Sequence, residues 1–430
     1  MRSRVFYGWR IVAASAIGLG MGASVTPLFT LGVFTKPLAE FLQAPRASIS
    51  FSQLVITMGL MLTAPFAGWL ADRVSNSRII TISMILYGIG FLSMPLLITS
   101  VSSLYVAYFA LTVIGCGTTG IAFTKLVSRW FDRQRGLALG STLAGVGLCG
   151  AVLPPVVAHV ISRYGWQYGF VTLGCIVLGI ALPAAAVFLK DDPAQLRLAP
   201  DGMDAARALA PTTKPQADSL IRVASNSTLW LLVISFFLMG AAFGIVVYLV
   251  PMLTDQGLQP STAALVQGAM GVSTIFGRVM MGYLMDRVPA VGLGMAFLLG
   301  PIVGIPLLAI GVPFPVAILC AVMIGLAQGT ETDLLAYLVG RYFGLALYGR
   351  IYAIVFTCFT LGAAAAGLML AQVQQHAGNY VSGSFILSFG LAITVLVLMR
   401  LPPYSRPNRN EESNALPASP VLAASADSTN

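Results

Sequence analysis

Apolar residues in this chain run in long unbroken blocks separated by short polar breaks, rather than recurring at the three- and four-residue spacing of a helix that floats half in water. About 20 apolar residues is the length a helix needs to cross the hydrocarbon of a bilayer at about 1.5 Å per residue. Blocks of that kind fall at 10–35, 50–71, 79–99, 103–127, 136–160, 167–189, 228–253, 263–285, 292–311, 314–340, 350–373 and 381–400. They predict twelve transmembrane helices, spans 1 to 12, and hence an all-α membrane protein. The first block is too long for a cleaved signal peptide and reads as a retained span. Between 190 and 227 the pattern turns polar, with Pro193, Pro200, Pro211 and Pro215 among Asp, Arg and Lys. This stretch reads as a linker holding a short interfacial helix, and it divides an N-terminal half (1–189) from a C-terminal half (228–401). The segment 402–430 is rich in Asn, Ser, Pro, Ala and Glu, too polar to bury a core, and is expected to be disordered.

Composition agrees with that class: 57% of residues are hydrophobic, 9% are charged and the mean hydropathy is +0.86, far from the roughly 25% charged of soluble domains. The net charge of +9 would suggest nucleic acid in a soluble protein, but here it follows the topology. With the N-terminus in the cytoplasm, 19 of the 24 lysines and arginines lie on the inner side or its edge, against Lys36, Arg46 and Arg163 outside. This positive-inside asymmetry places both termini in the cytoplasm, and the expected location is the cell's inner (plasma) membrane. Cys116, Cys149, Cys175, Cys320 and Cys358 lie singly in apolar blocks and read as packing residues, and neither histidine clusters with them. No lysine follows a glycine anywhere, so there is no phosphate-binding loop and no ATP-driven pump. Neither a metal nor a cofactor is expected, nor an enzymatic domain, and a monomer is expected.

The two halves repeat. Gly68-Trp-Leu-Ala-Asp72-Arg73 after span 2 is echoed by Gly282-Tyr-Leu-Met-Asp286-Arg287 after span 8 at a constant offset of 214, and Arg129-Trp-Phe by Arg341-Tyr-Phe. Parallel repeats of six spans, with substrate near the midplane between them, are one of the architectures of secondary transporters. Gly68-x-x-x-Asp72-Arg73-x-x-x-x-Arg78 resembles the signature of the major facilitator superfamily, with Ser75 where that pattern usually has Gly. Tyr7-Gly8-Trp9, Phe34-Thr-Lys36-Pro37, Arg129-Trp-Phe-Asp-Arg-Gln-Arg135-Gly136, Val250-Pro251-x-x-x-Asp255-x-Gly257 and Asp333-Leu-Leu-Ala-Tyr337-x-x-x-Arg341 resemble the monocarboxylate porters and the related oxalate:formate antiporters, in their prokaryotic form. The resemblance implies the major facilitator fold and transport of a small carboxylate with protons. Residues matching Lys36, Asp255 and Arg278 are implicated in binding carboxylate and proton, and Tyr337 is a further candidate substrate contact.

Chemistry inside the membrane rests on few charges. Arg278 sits in span 8, nine residues before Arg287; a guanidinium stays charged, and in hydrocarbon it costs about 2.5–3.5 kcal/mol even on lenient scales, so it needs a partner. Glu331 and Asp333 of span 10 fall at a similar depth. Two residues apart, they stand about 200° apart around a helix, so only one can face Arg278. Arg278 is the expected carboxylate ligand, Asp255, Glu331 and Asp333 the candidate proton carriers, and Gly68, Asp72, Arg73, Gly282, Asp286 and Arg287 a gate across the cytoplasmic side. Lys125 in span 4 is expected to snorkel to the headgroups. Gly145-x-Gly147-x-x-Gly150 has no strand before it and reads as close helix packing. Two departures narrow the resemblance: Thr274 replaces the aspartate of animal monocarboxylate porters, and Val355–Leu361 in span 11 lacks the second cation of the oxalate type. The expectation is proton symport of a monocarboxylate; the alternatives are a carboxylate exchanger and a transport-inactive sensor on the same fold.

Overall fold

The computed structural model describes residues 6–202 and 225–404, so the expected interfacial helix in the linker and the tail beyond 404 fall outside the described residues. All regular structure among those residues is helical. Ten helices are long and apolar enough to cross a membrane: Arg46–Arg73, Asn76–Leu97, Arg135–Tyr164, Trp166–Phe188, Ser227–Asp255, Ser261–Met285, Ala290–Ile310, Phe314–Tyr342, Tyr348–Ala377 and Val381–Leu398. These are spans 2, 3 and 5 to 12. Spans 1 and 4 complete the twelve but are interrupted, as Tyr7–Gly20 with Thr26–Phe41 and as Val101–Ile114 with Gly120–Trp130. Side chains such as Leu62, Phe276, Leu368 and Phe389 are exposed on the outer surface. In a bilayer that surface meets acyl chains, which is why these helices are apolar all round instead of along one stripe.

The interruptions correct the expectation of a continuous block at 10–35, and their cause lies in the glycines of Gly18-Leu-Gly20-Met-Gly22 and Gly115-Cys-Gly117. Glycine weakens a helix interior, and here it also lets the two breaks touch, since a Cβ on Gly22 would collide with the Thr118 carbonyl. A backbone group released from a helix inside hydrocarbon must find another partner. Threonines supply them: Ala23 N–H donates to Thr118 Oγ1 at 2.9 Å, Thr118 Oγ1 donates to Gly115 O at 2.7 Å, and Thr119 Oγ1 donates to Cys116 O at 2.8 Å.

The halves meet where span 2 crosses span 11 and span 5 crosses span 8. A Cβ on Gly68 would collide with the Gly349 carbonyl and one on Gly136 with the Gly282 carbonyl. The repeat glycines are therefore the points where backbones of opposite halves touch. Gly145 likewise packs on Ala16 of span 1 and Gly147 on Ile275 of span 8, which is close helix packing of the kind that small residues allow. Ser75, the departure from the signature, caps span 3 by accepting from Arg78 N–H at 3.3 Å. It also donates to Asp191, whose other carboxylate oxygen accepts from Ser77 N–H at 3.0 Å, fastening span 3 to the end of span 6.

Candidate functional site

Spans 8 and 10 lie against each other because Gly277, Gly325 and Gly329 leave no side chain between the backbones; a Cβ on Gly329 would meet the Thr274 carbonyl. That contact presents Arg278 to span 10. Arg278 Nη1 donates to Thr332 Oγ1 at 2.8 Å and lies 3.5 Å from Asp333 Oδ1. Asp333 is fully buried and Glu331 is 7% exposed, and Asp333 Oδ2 and Glu331 Oε2 have no hydrogen-bond partner. Asp333 thus pairs with the guanidinium, and Glu331 is buried nearby without a contact to it, in a place where an unpaired charge is costly.

The exposed part of Arg278 opens on a central cavity of about 150 Å³. Leu19, Val25, Leu60, Ile121, Leu143 and Val146 form its apolar wall; Thr119, Thr332 and Tyr352 add hydroxyls, and Arg278 is the charged residue lining it among the described residues. The breaks in spans 1 and 4 both face this cavity. Helix Gly120–Trp130 begins there, and its N-cap Thr119 gives no side-chain cap because its hydroxyl is spent on Cys116 O. Its opening amides leave the positive end of a helix toward the space that Arg278 also faces. One fork-shaped cation and one helix N-terminus around a small apolar chamber suit a planar anion with a single charge.

On the face bearing residues 6 and 404, the two repeat aspartates cap helices of the opposite half. Asp72 accepts from Gly349 N–H at 2.8 Å and Arg350 N–H at 3.1 Å, at the start of span 11. Asp286 accepts from Gly136 N–H at 2.7 Å and Leu137 N–H at 2.9 Å, at the start of span 5. Arg341 of span 10 adds an ion pair to Asp132 at 2.8 Å. Burial pushes the Asp286 carboxyl up to about 6, against the two amide donors and Arg341, which lower it. The paired arginines do not cross: Arg73 lies 4.8 Å over the Trp69 ring and Arg287 3.4 Å over the Tyr283 ring, each on its own helix.

Lys125 corrects the snorkelling expectation. It is fully buried, its Nζ 2.5 Å from Asp72 Oδ1 and donating to Ala71 O at 3.0 Å; the ion pair compensates the ammonium more directly than distant headgroups could. The remaining candidates stand away from the cavity. Lys36 is exposed and 4.0 Å from Glu40, Asp255 is exposed at the C-terminal end of span 7, and Tyr337 is buried with its hydroxyl 3.3 Å from Met285 O. Thr332, Tyr352, Gly136 and Gly349 are site residues that sequence reasoning missed. Only the glycines carried a signal, since each stands at the start of the helix after an Arg-Trp-Phe or Arg-Tyr-Phe motif.

Residues 11–367 match the model of the Major Facilitator Superfamily. The chain belongs to that superfamily. Major facilitator proteins are membrane transporters and not enzymes, and the paired aspartate caps lie at the ends of the helices that carry the repeat signature. Among relatives, monocarboxylate transporter 12 of Rattus norvegicus is 25% identical over 65% of this chain and 61% of its own length, so the match spans less than two thirds of that protein. Monocarboxylate transporter 12 of Xenopus laevis is 22% identical over 96% of this chain and 93% of its own, and monocarboxylate transporter 13 of Bos taurus 25% over 90% and 89%. Among solved structures, the major facilitator proton:xylose symporter XylE superposes with a TM-score of 0.76 at 14% identity, covering 93% of this chain and 97% of that one. A bacterial homologue of the iron transporter ferroportin, in an outward-facing state, gives 0.71 at 14%, covering 92% and 99%. At those identities the likeness is one of fold.

Proposed function

We propose that this major facilitator protein carries a small monocarboxylate together with a proton across the inner (plasma) membrane, with both termini in the cytoplasm. The observation that carries the reading is Arg278: a guanidinium that faces an otherwise uncharged chamber and leans on a carboxylate with one unpartnered oxygen. The names of the relatives point to the same substrate class. In the resting arrangement Asp333 holds Arg278. A proton taken by Asp333, with Glu331 as the neighbouring relay, removes that internal partner, and the fork then holds the substrate carboxylate. Substrate anion plus proton add no net charge, so the loaded halves can rock without carrying charge through hydrocarbon. Release of the Asp72 and Asp286 caps opens the cytoplasmic side. Lys36 and Asp255, at the outer ends of spans 1 and 7, stand on the route by which substrate and proton arrive, and Tyr337 supports the inner end of span 10.

Purified protein in liposomes provides the test. An inward proton gradient alone is expected to drive accumulation of a labelled monocarboxylate above its equilibrium level. Accumulation that requires a carboxylate preloaded inside, and ignores the gradient, would replace symport with exchange.

A further inference from the structure

The geometry points to a narrower substrate: a monocarboxylate whose tail is plain hydrocarbon, held against a wall built by the N-terminal half, with hydroxylated and doubly charged acids disfavoured. This rests on the carboxylate reading above. The chamber is divided by chemistry. Charge and hydrogen bonding gather at one end: Arg278 with Thr332, and Tyr352, whose hydroxyl would lie 3.5 Å from a Cβ on Gly120, beside the opening amides of helix Gly120–Trp130, and whose electrostatic neighbours include Asp333 and Arg278. The N-terminal half contributes chiefly hydrocarbon, from Leu19, Val25, Leu60, Ala64, Leu143 and Val146, and span 11 adds Phe356.

A hydroxyl on the substrate tail would need a partner there, and the Thr119 proton is already committed. Thr119 Oγ1 donates to Cys116 O and can only accept, while Thr332 Oγ1, which accepts from Arg278 and keeps its own proton, stands with the carboxylate group. Tyr352 stands with the carboxylate group, which leaves half-buried Ser24 for the rest of the chamber. A second carboxylate fares worse, since no second cation lines the cavity among the described residues. At about 150 Å³ the chamber is also below the roughly 300–1,000 Å³ of pockets for drug-sized ligands, so a short branched chain or one ring is the fitting tail.

Isobutyrate and lactate make a clean pair, because they differ by a methyl group in place of a hydroxyl at nearly the same volume. In proteoliposomes with an imposed proton gradient, uptake of labelled isobutyrate is expected to exceed that of lactate by roughly 10–100-fold in kcat/KM, the range that apolar pockets achieve against an added hydroxyl or a lost methylene. Malonate is expected to be refused. Val146→Thr and Val25→Thr each add a hydroxyl to the wall without changing its volume, and either is expected to narrow the isobutyrate-to-lactate ratio. If lactate equals or beats isobutyrate while both depend on Arg278, or if both threonine variants leave the ratio unchanged, the hydrocarbon tail is wrong and the carboxylate reading stands. If isobutyrate, lactate and benzoate are all refused, the carboxylate reading itself falls.

Discussion

Arg278 owes its position to the glycines around it and its chemistry to its shape. A lysine in its place would keep the charge but lose the planar fork, so Arg278→Lys exchanges two parallel charged hydrogen bonds for one. With hydrogen bonds to charged groups at about 1.5–3 kcal/mol each, kcat/KM for carboxylate uptake is expected to fall about 10–100-fold, measured as initial rates in proteoliposomes; unchanged uptake would remove Arg278 from the substrate. Lys125 is a structural counterpart. Its partner Asp72 has a side chain only 3% exposed and, once Lys125→Met removes the ammonium, keeps the more distant Arg350 at 3.8 Å, so the cost is expected toward the low end of about 3–5 kcal/mol. Thermal unfolding in detergent is expected to drop by several degrees, and the double variant with Asp72→Asn to recover part of the loss.

At the scale of helices, the two aspartate caps share a plan and differ in one partner. Asp72 has Lys125 beside it, whereas Asp286 has Tyr337, which stands at the equivalent place in the second half and gives its hydroxyl to Met285 O. Burial therefore dominates at Asp286 and lifts its carboxyl from the ordinary 3.8 to about 6. The sign follows from linkage: a carboxyl with a raised pKa in the closed form takes its proton more readily there than in an open form where it is hydrated. Protonation thus favours closure, which strengthens as pH falls through 6 toward 4 and is weakest above 6. Between pH 7 and pH 5 the closed-to-open ratio is expected to rise about tenfold. Maleimide labelling of Ser128→Cys, buried at this face in the closed form, reads that ratio in a background without native cysteines. Asp286→Asn is expected to flatten the pH profile, and a profile that persists in that variant would assign the effect elsewhere.

For the whole molecule, the lysine and arginine asymmetry predicts an orientation that labelling can check. In intact cells an impermeant maleimide is expected to reach Lys36→Cys, exposed at the outer end of span 1, and to reach Arg287→Cys only after permeabilisation; the reverse pattern would invert the topology. Much of the architecture was legible along the chain. Bilayer thickness turns the length of an apolar run into a crossing, and the 214-residue offset between signatures reveals the repeat without any knowledge of contacts. Arg278 and its span-10 acids were legible for a similar reason, because depth along a helix is counted in residues. The break at Gly18–Gly22 was written in the sequence but masked by the apolar run around it.

Depth and crossing number were thus determined by sequence alone, since both depend on position along an axis. What the tertiary structure decided was rotation. A helix that is apolar all round carries no stripe to say which side faces lipid, so nothing along the chain showed that Asp333 rather than Glu331 meets Arg278, or that Thr332 between them takes the guanidinium. The same holds for Lys125, bound to an aspartate 53 residues away, and for Asp286, which caps a helix 150 residues away. Those partners exist only once glycines on neighbouring helices let the backbones close to contact, and the angle at which they do so is a property of the packed bundle.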